Sequence, residues 1–360
     1  MSFVPGISLC EAYYREAVFP VLRDAFPEVP YAAGLVDGGS EVLGFDTAMS
    51  MDHDWGPRVQ IFLCDEDLPR CGESIGAILS KRLPRSFGGF STSYELNMDG
   101  TGRLVETDAP LRHRVNASSP QQFFHKYLGV DLDEPLKAAG WLAIPQQELL
   151  TVSRGPIFHD GIGFGEMRDR FAFYPRDVWI YQLAALWTRV GQEEHLVGRA
   201  GFVGDELGAA IIASRLVRDL MRLAFLIERQ YAPYAKWLGT AFSRLSCSSE
   251  LGPLLQGVVD AKSWQNRDEC LVPAFEKVAR MQNELVLCPE RPAKVGLFFD
   301  RPFHVIELHA GFSSALIKEI EDSELKRRPV VGGIDILSDS TDFVGDASWR
   351  ETTRKGFSCE

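Results

Sequence analysis

The chain has no Cys-x-x-Cys pair, although it holds seven cysteines, at 10, 64, 71, 247, 270, 288 and 359. Odd in number and scattered, they argue against a disulfide framework or a cysteine zinc site and read as reduced thiols. Basic residues are not in excess either. Lys and Arg number 38 against 50 Asp and Glu, a formal net charge of −12 that opposes non-specific attraction to DNA, RNA or anionic membranes. No run approaches the roughly eighteen apolar residues of a membrane span. Glu11, Arg15 and Glu16 interrupt the N-terminal stretch where a signal peptide needs an unbroken apolar core. Internal repeats and low-complexity tracts are missing as well. These absences point to a soluble cytoplasmic protein with a small anionic ligand. At 360 residues and 45% hydrophobic content, it can bury a sizeable core, most economically in two domains.

Apolar periodicity places an amphipathic helix over residues 8–27 and a short apolar strand over Tyr31 to Val36, which delivers the chain to Gly38-Gly39. Arg58 to Cys64 reads as a strand and Ser74 to Leu83 as a helix. Phe90, Thr92, Tyr94 and Leu96 alternate with polar neighbours as a half-buried strand, and 112–118 is another short strand. Ser119-Pro120 is a good N-cap and first-turn pair for a helix through Leu128. From about residue 130 the pattern turns helical, at 176–195, 204–231, 234–246 and 264–286. The glycine-rich stretch Arg154 to Gly165 is expected to be the passage between the halves, and the polar stretch from Gly332 is expected to end in disorder. The expected fold is an α/β (α+β) N-terminal domain with a mixed sheet, residues 1–130, followed by a mainly helical domain with a polar tail, residues 131–360.

The most informative segment runs from Gly38 to Gly56: a Gly-Gly-Ser turn, eleven intervening residues, then Asp52-His53-Asp54. On a β-strand the two-residue side-chain period would put Asp52 and Asp54 on one face, with His53 and Trp55 on the other. Two such carboxylates suit Mg²⁺, which takes octahedral oxygen ligands and completes its shell with phosphates and water. Gly39 would let backbone N–H groups approach a phosphate with no Cβ in the way, and the Ser40 hydroxyl adds a donor. The combination describes a nucleoside triphosphate held by its phosphates. Its plain alternative is a solvated acidic loop.

This arrangement resembles the minimal nucleotidyltransferase pattern: a Gly-Gly/Ser turn, a gap of about nine to thirteen residues, then Asp-x-Asp/Glu. More closely, Asp37 to Pro57, Tyr174 to Tyr181, Gln192-Glu-Glu194, Gly204 to Gly208, Tyr231 to Trp237 and Asp339-Ser-Thr-Asp342 resemble the domain-of-unknown-function family 4037. The resemblance spans most of the chain. It implies a nucleotidyltransferase-like fold and reaction type, no particular substrate, and a match of Gly39, Ser40, Asp52 and Asp54 to the turn and the metal ligands. The implied chemistry is Mg²⁺-dependent transfer of a nucleoside monophosphate, AMP from ATP above all, to an acceptor hydroxyl with release of pyrophosphate. The acceptor could be a small molecule, an RNA or a protein. Arg58 and Lys236 are candidates to neutralise phosphate charge, in a cleft expected between the two domains.

Such enzymes usually carry a third carboxylate on a neighbouring strand, and Arg112 to Ser118 offers His113 and Asn116 but no acid. Glu95 is the best substitute, with Glu106 and Asp108 behind it. Each has an exposed strand glutamate or aspartate as its plain reading. Glu194, beside Glu193, is a candidate general base from the helical domain. Arg215, Arg218, Arg222 and Arg229 form a basic stripe on one helix, either a solvated face paired with carboxylates or a counter-charge to triphosphate. Arg189 and His195 resemble a helical ribonuclease signature, and His159-Asp160 reads as a turn or a polar site pair. The alternatives to a transferase are an inactive nucleotide sensor and a toxin–antitoxin component with a helical ribonuclease site.

Overall fold

Tyr31–Gly34 (β1) and Arg58–Leu63 (β2) are buried along almost their whole length, as strands at the centre of a sheet must be. They pair antiparallel, Ala33 opposite Ile61, and β2 in turn pairs parallel with Arg114–Ser118 (β3). Ile157–Asp160 (β4) closes the other edge antiparallel to β1, giving a four-stranded mixed sheet of order β3-β2-β1-β4. The computed structural model describes residues 3–98, 102–107, 109–346 and 348–358, and of Asp52 and Asp342 only the backbone. Within this range the fold is mixed α/β with a largely helical second half.

The chain forms two units, residues 1–135 with 148–172, and residues 136–147 with 173–360. The expected boundary near 130 therefore lies close to the first crossing, but the chain returns to the first unit before leaving it for good. The reason is β4. The stretch expected to be a connecting loop instead supplies the fourth strand, entered through Gly155 at φ +84°, where a Cβ would lie 2.1 Å from the Leu35 carbonyl oxygen.

In the first unit, Gly6–Tyr13 and Phe19–Ala25 flank a π-helical turn and place Tyr13, Val18 and Leu22 against Ala33, Val59, Ile61 and Leu63. Ser119 caps the helix Pro120–Leu128 in a capping box with Gln122, and Gly129 ends it in the left-handed conformation, as the Ser-Pro pair predicts. The strand expected over Phe90 to Leu96 is two short pieces, Phe90–Ser91 and Tyr94–Leu96, each in its own small hairpin.

In the second unit, Arg176–Glu193, Glu206–Ile227, Ala235–Phe242 and Trp264–Glu284 reproduce the four periodic segments. Asp205 and Ser263 cap two of them. Trp187, fully buried, stacks on Phe312 at 4.5 Å between ring centroids and donates its indole N–H to Gln282 at 3.0 Å. The polar C-terminal stretch carries the helices Ile334–Leu337, Thr341–Gly345 and Trp349–Gly356, with Arg350 buried, and the end expected to be disordered lies outside the described residues. Among the described residues no helix is long and apolar enough to cross a membrane.

Candidate functional site

β1 hands the chain to Asp37, whose φ of +98° bends it sharply into Gly38 and Gly39. The Gly38 N–H is taken by the Asp37 carboxylate at 2.6 Å, and its carbonyl accepts from the Arg58 guanidinium at 2.7 Å. Gly39 sits at φ +136°, and a Cβ there would lie 2.7 Å from a Glu41 carboxylate oxygen and 2.8 Å from Arg58. The glycine thus makes room first for a buried ion pair, Arg58 to Glu41 at 2.8 Å, a partner that reading the sequence missed although Glu41 adjoins Ser40. Burial works against the Arg58 charge, but Glu41 overcomes it and holds the guanidinium above the usual arginine range. Among the described residues the N–H groups of Gly39 and Ser40 and the Ser40 hydroxyl donate to nothing, while the Ser40 carbonyl accepts from Phe45.

A small cavity of about 50 Å³ opens beside this turn, lined by Asp37, Arg58, Gln60, Arg114 and Asn116. β2 and β3 position four of these, with Arg58 opposite Arg114 and Gln60 opposite Asn116 across the parallel pair. Arg114 donates to the Asp54 carbonyl at 2.8 Å and lies over the Tyr94 ring at 4.4 Å, with no carboxylate in ion-pair distance among the described residues. Burial, then the neighbouring Arg58 charge, pull its pKa below the arginine range. Arg114 in the cavity wall and two successive unengaged N–H groups on the neighbouring turn are donors of the kind that suit an oxyanion.

The acidic pair does not lie on a strand. Thr47 and Ser50 form a capping box that starts a 3₁₀ turn, Ala48–Asp52, and Asp54 takes φ +53°, so strand alternation does not apply to either acid. The Asp54 side chain is exposed. Its Oδ1 accepts from the Tyr94 hydroxyl and from the Gly102 N–H at 3.2 Å, while Oδ2 accepts nothing among the described residues. The Asp52 side chain lies outside the described residues. Burial and the bond to Asp54 raise the Tyr94 pKa. No cluster of three His, Cys, Asp or Glu able to hold a metal occurs among the described residues. Mg²⁺ needs only one or two carboxylates when phosphates complete its shell, and the unengaged Asp54 oxygen meets that minimum.

The other candidates fall elsewhere. Glu95 is exposed on its hairpin opposite Arg103, Glu106 is exposed, and Asp108 lies outside the described residues. His113 bonds the Gly76 carbonyl at 3.0 Å. His159 rests on the Tyr31 ring, while Asp160 accepts the Phe164 and Gly165 N–H groups at 2.9 Å, a turn and cap. In the second unit Lys236 is exposed and lies over the Trp237 ring at 5.0 Å. Glu194 is buried, and its carboxylate accepts the N–H groups of Ile306, Glu307 and Leu308 at 2.6, 3.0 and 3.1 Å, so both oxygens cap a helix start. Arg189 is bonded to Asp219 at 2.6 Å, and His195 is stacked on Phe298 at 4.3 Å with burial lowering its pKa. Two of the four stripe arginines are paired with carboxylates, Arg215 with Glu193 at 2.5 Å and Arg218 with Asp339 at 2.7 Å, while Arg229 lies past the helix end over the Phe173 and Trp179 rings.

Glu307, next to the Glu194 cap, has its pKa pushed up to about 7, by burial first and by Glu194 further down, against the N–H donors Phe312 and Ser313. A raised carboxylate pKa means the folded state takes a proton before the unfolded chain does, so stability from this group grows as pH falls. Relative to Glu307→Gln, the native protein should gain in urea midpoint as pH drops from about 7 to about 4.5, and lose that gain as it rises. A difference between the two proteins that is flat over this window contradicts the burial of this charge.

Residues 141–238 match the model of a domain of unknown function (DUF4037). The match takes in Tyr174 to Tyr181, Gln192 to Glu194, Gly204 to Gly208 and Tyr231 to Trp237, and leaves out the Gly38–Asp54 segment and Asp339 to Asp342. No curated protein matches the chain.

Proposed function

We propose, for a chain whose residues 141–238 match the DUF4037 model, that the first unit binds a Mg²⁺–nucleoside triphosphate, ATP above all, and transfers its nucleoside monophosphate to an acceptor hydroxyl with release of pyrophosphate. The observation that carries this reading is the pair of unengaged N–H groups at Gly39 and Ser40, beside a cavity walled by Arg58 and Arg114. Backbone donors of this kind suit phosphate oxygens and are already in place before the ligand arrives. Arg114, with no carboxylate of its own, is better placed than Arg58 to meet developing charge on the leaving pyrophosphate. Asp54 would hold the metal through its free oxygen, with Asp52 as its sequence partner, and bound Mg²⁺ would supply Lewis-acid polarisation of the phosphates. Lys236, Glu95 and Glu194 have no role in this scheme. A cytoplasmic setting supplies both the reduced thiols and the nucleotide.

A second reading, nucleotide binding without turnover, is favoured by one fact: Tyr94 and Gly102 occupy one Asp54 oxygen, and β3 offers Asn116 where a third acid would stand. Asp54→Asn separates structure from chemistry, because the amide oxygen still accepts both hydrogen bonds. Its urea midpoint should stay near that of the native protein while pyrophosphate release from Mg-ATP falls about 100-fold, the scale of losing one charged contact in a transition state. Saturable Mg-ATP binding with no pyrophosphate release for any acceptor selects the sensor reading. Unchanged binding and turnover in both Asp52→Asn and Asp54→Asn defeat the metal assignment.

A further inference from the structure

The second unit holds a cavity of its own, about 70 Å³, walled by Gln146, Arg218, Arg222, Tyr234, Leu238 and Asp335 among others. Its two arginines stand one helical turn apart and differ in their partners. Arg218 is bonded to Asp339 at 2.7 Å and lies 3.9 Å from the buried Asp219. Arg222 donates to the Asp335 carbonyl oxygen and has no carboxylate within ion-pair distance among the described residues. Burial pulls its pKa below the arginine range, with Asp335 only partly opposing. Gln146 spends its carbonyl oxygen on the Ala232 N–H at 2.7 Å, and its amide NH₂ has no partner among the described residues. The lining also carries apolar side chains, Ala232, Pro233, Ala235, Leu238 and Val344.

We propose that this cavity binds the carboxylate end of a small organic acid, with Arg222 gripping the carboxylate and the Pro233–Leu238 wall covering the apolar body. A planar guanidinium with spare donors matches a carboxylate in two parallel hydrogen bonds, and a ligand there would give this half-buried cation a carboxylate in direct contact. The lining carries two arginines and two aspartates, so it favours a monoanion over a phosphate dianion. A single water needs about 10–15 Å³ of such space, so the cavity admits a carboxylate with a short chain, or that end of a larger acid. This proposal is independent of the triphosphate site.

The test is calorimetric titration of the full-length protein with butyrate, benzoate and inorganic phosphate. Butyrate or benzoate is expected to bind saturably in the millimolar range, with phosphate at least tenfold weaker. Arg222→Gln and Arg222→Lys should each weaken the carboxylate tenfold or more, the lysine variant because it keeps the charge and loses the fork. Leu238→Trp, which fills the apolar wall without touching Arg222, should do the same, and it decides the matter if the Arg222 variants do not fold. No saturable carboxylate binding to the native protein, phosphate binding as tight as butyrate, or unaltered affinity in Leu238→Trp overturns the proposal.

Discussion

Glu41→Gln is expected to cost the first unit about 3–5 kcal/mol, the scale of breaking a buried ion pair from one side. Glu41 is 2% exposed and Arg58 8%. The carboxylate takes two guanidinium donors, Nε at 3.0 Å and the terminal nitrogen at 2.8 Å. Without it, a buried cation remains next to Arg114, whose pKa already falls in part because Arg58 is close. The loss should be read from urea dependence of amide exchange in β1 and β2, since a chain of two units need not unfold in one step. Glu41→Gln/Arg58→Met should recover at least half of it, because removing both charges also removes the desolvation penalty. A loss under about 1 kcal/mol for the single variant would mean that the pair is effectively solvated, as surface pairs are.

That ion pair also redistributes roles around the glycine turn. Read along the chain, Gly39 is free backbone for a phosphate and Arg58 a spare positive charge. In three dimensions the missing Cβ of Gly39 clears the Glu41–Arg58 contact, and Arg58 is spent on Glu41 and on the Gly38 carbonyl. Arg114 is left as the cation without a counter-charge. Its position facing Arg58 across a parallel strand pair is a consequence of register between segments more than fifty residues apart, which no local pattern carries.

Elements with strong local signals were legible for the same reason. The Ser119-Pro120 start, the apolar runs of β1 and β2, and the long amphipathic helices each depend on residues within a few positions of one another. β4 was missed because Ile157-Phe-His-Asp is only four residues long, and its pairing with Ala32 and Ala33 is a contact across the whole first unit. Asp-x-Asp fits the two-residue period of a strand, yet Thr47 and Ser50, three apart, carry the signal for a capped turn. The arginine stripe shows both sides. Pairing with carboxylates follows from charge alone for Arg215 and Arg218, but that Arg222 meets only the Asp335 carbonyl oxygen depends on where Asp339 and Asp335 return from the far end of the chain.

Glu194→Ala is expected to be the second costly substitution, at about 2–4 kcal/mol, because it strands one buried N–H group, at Ile306, and two part-buried ones, at Glu307 and Leu308; an unpaired buried group costs about 1–3 kcal/mol, and the costs are not fully additive. Burial raises the Glu194 pKa, and the three N–H donors only partly counter it, so its charge is costly and is kept by the cap it forms. Glu194→Gln keeps one acceptor oxygen and should lose less, about 1–2 kcal/mol. This ordering separates a cap from the general base that Gln192-Glu-Glu194 suggests in sequence. A base is ruined equally by Gln and by Ala, with little change in stability, whereas a cap degrades in proportion to the acceptors removed, and pyrophosphate release per folded molecule stays level. Amide exchange at Ile306, Glu307 and Leu308 reads the cap directly: fast exchange in Glu194→Ala, intermediate in Glu194→Gln. Turnover abolished in Glu194→Gln with these amides still protected would return the residue to the chemistry.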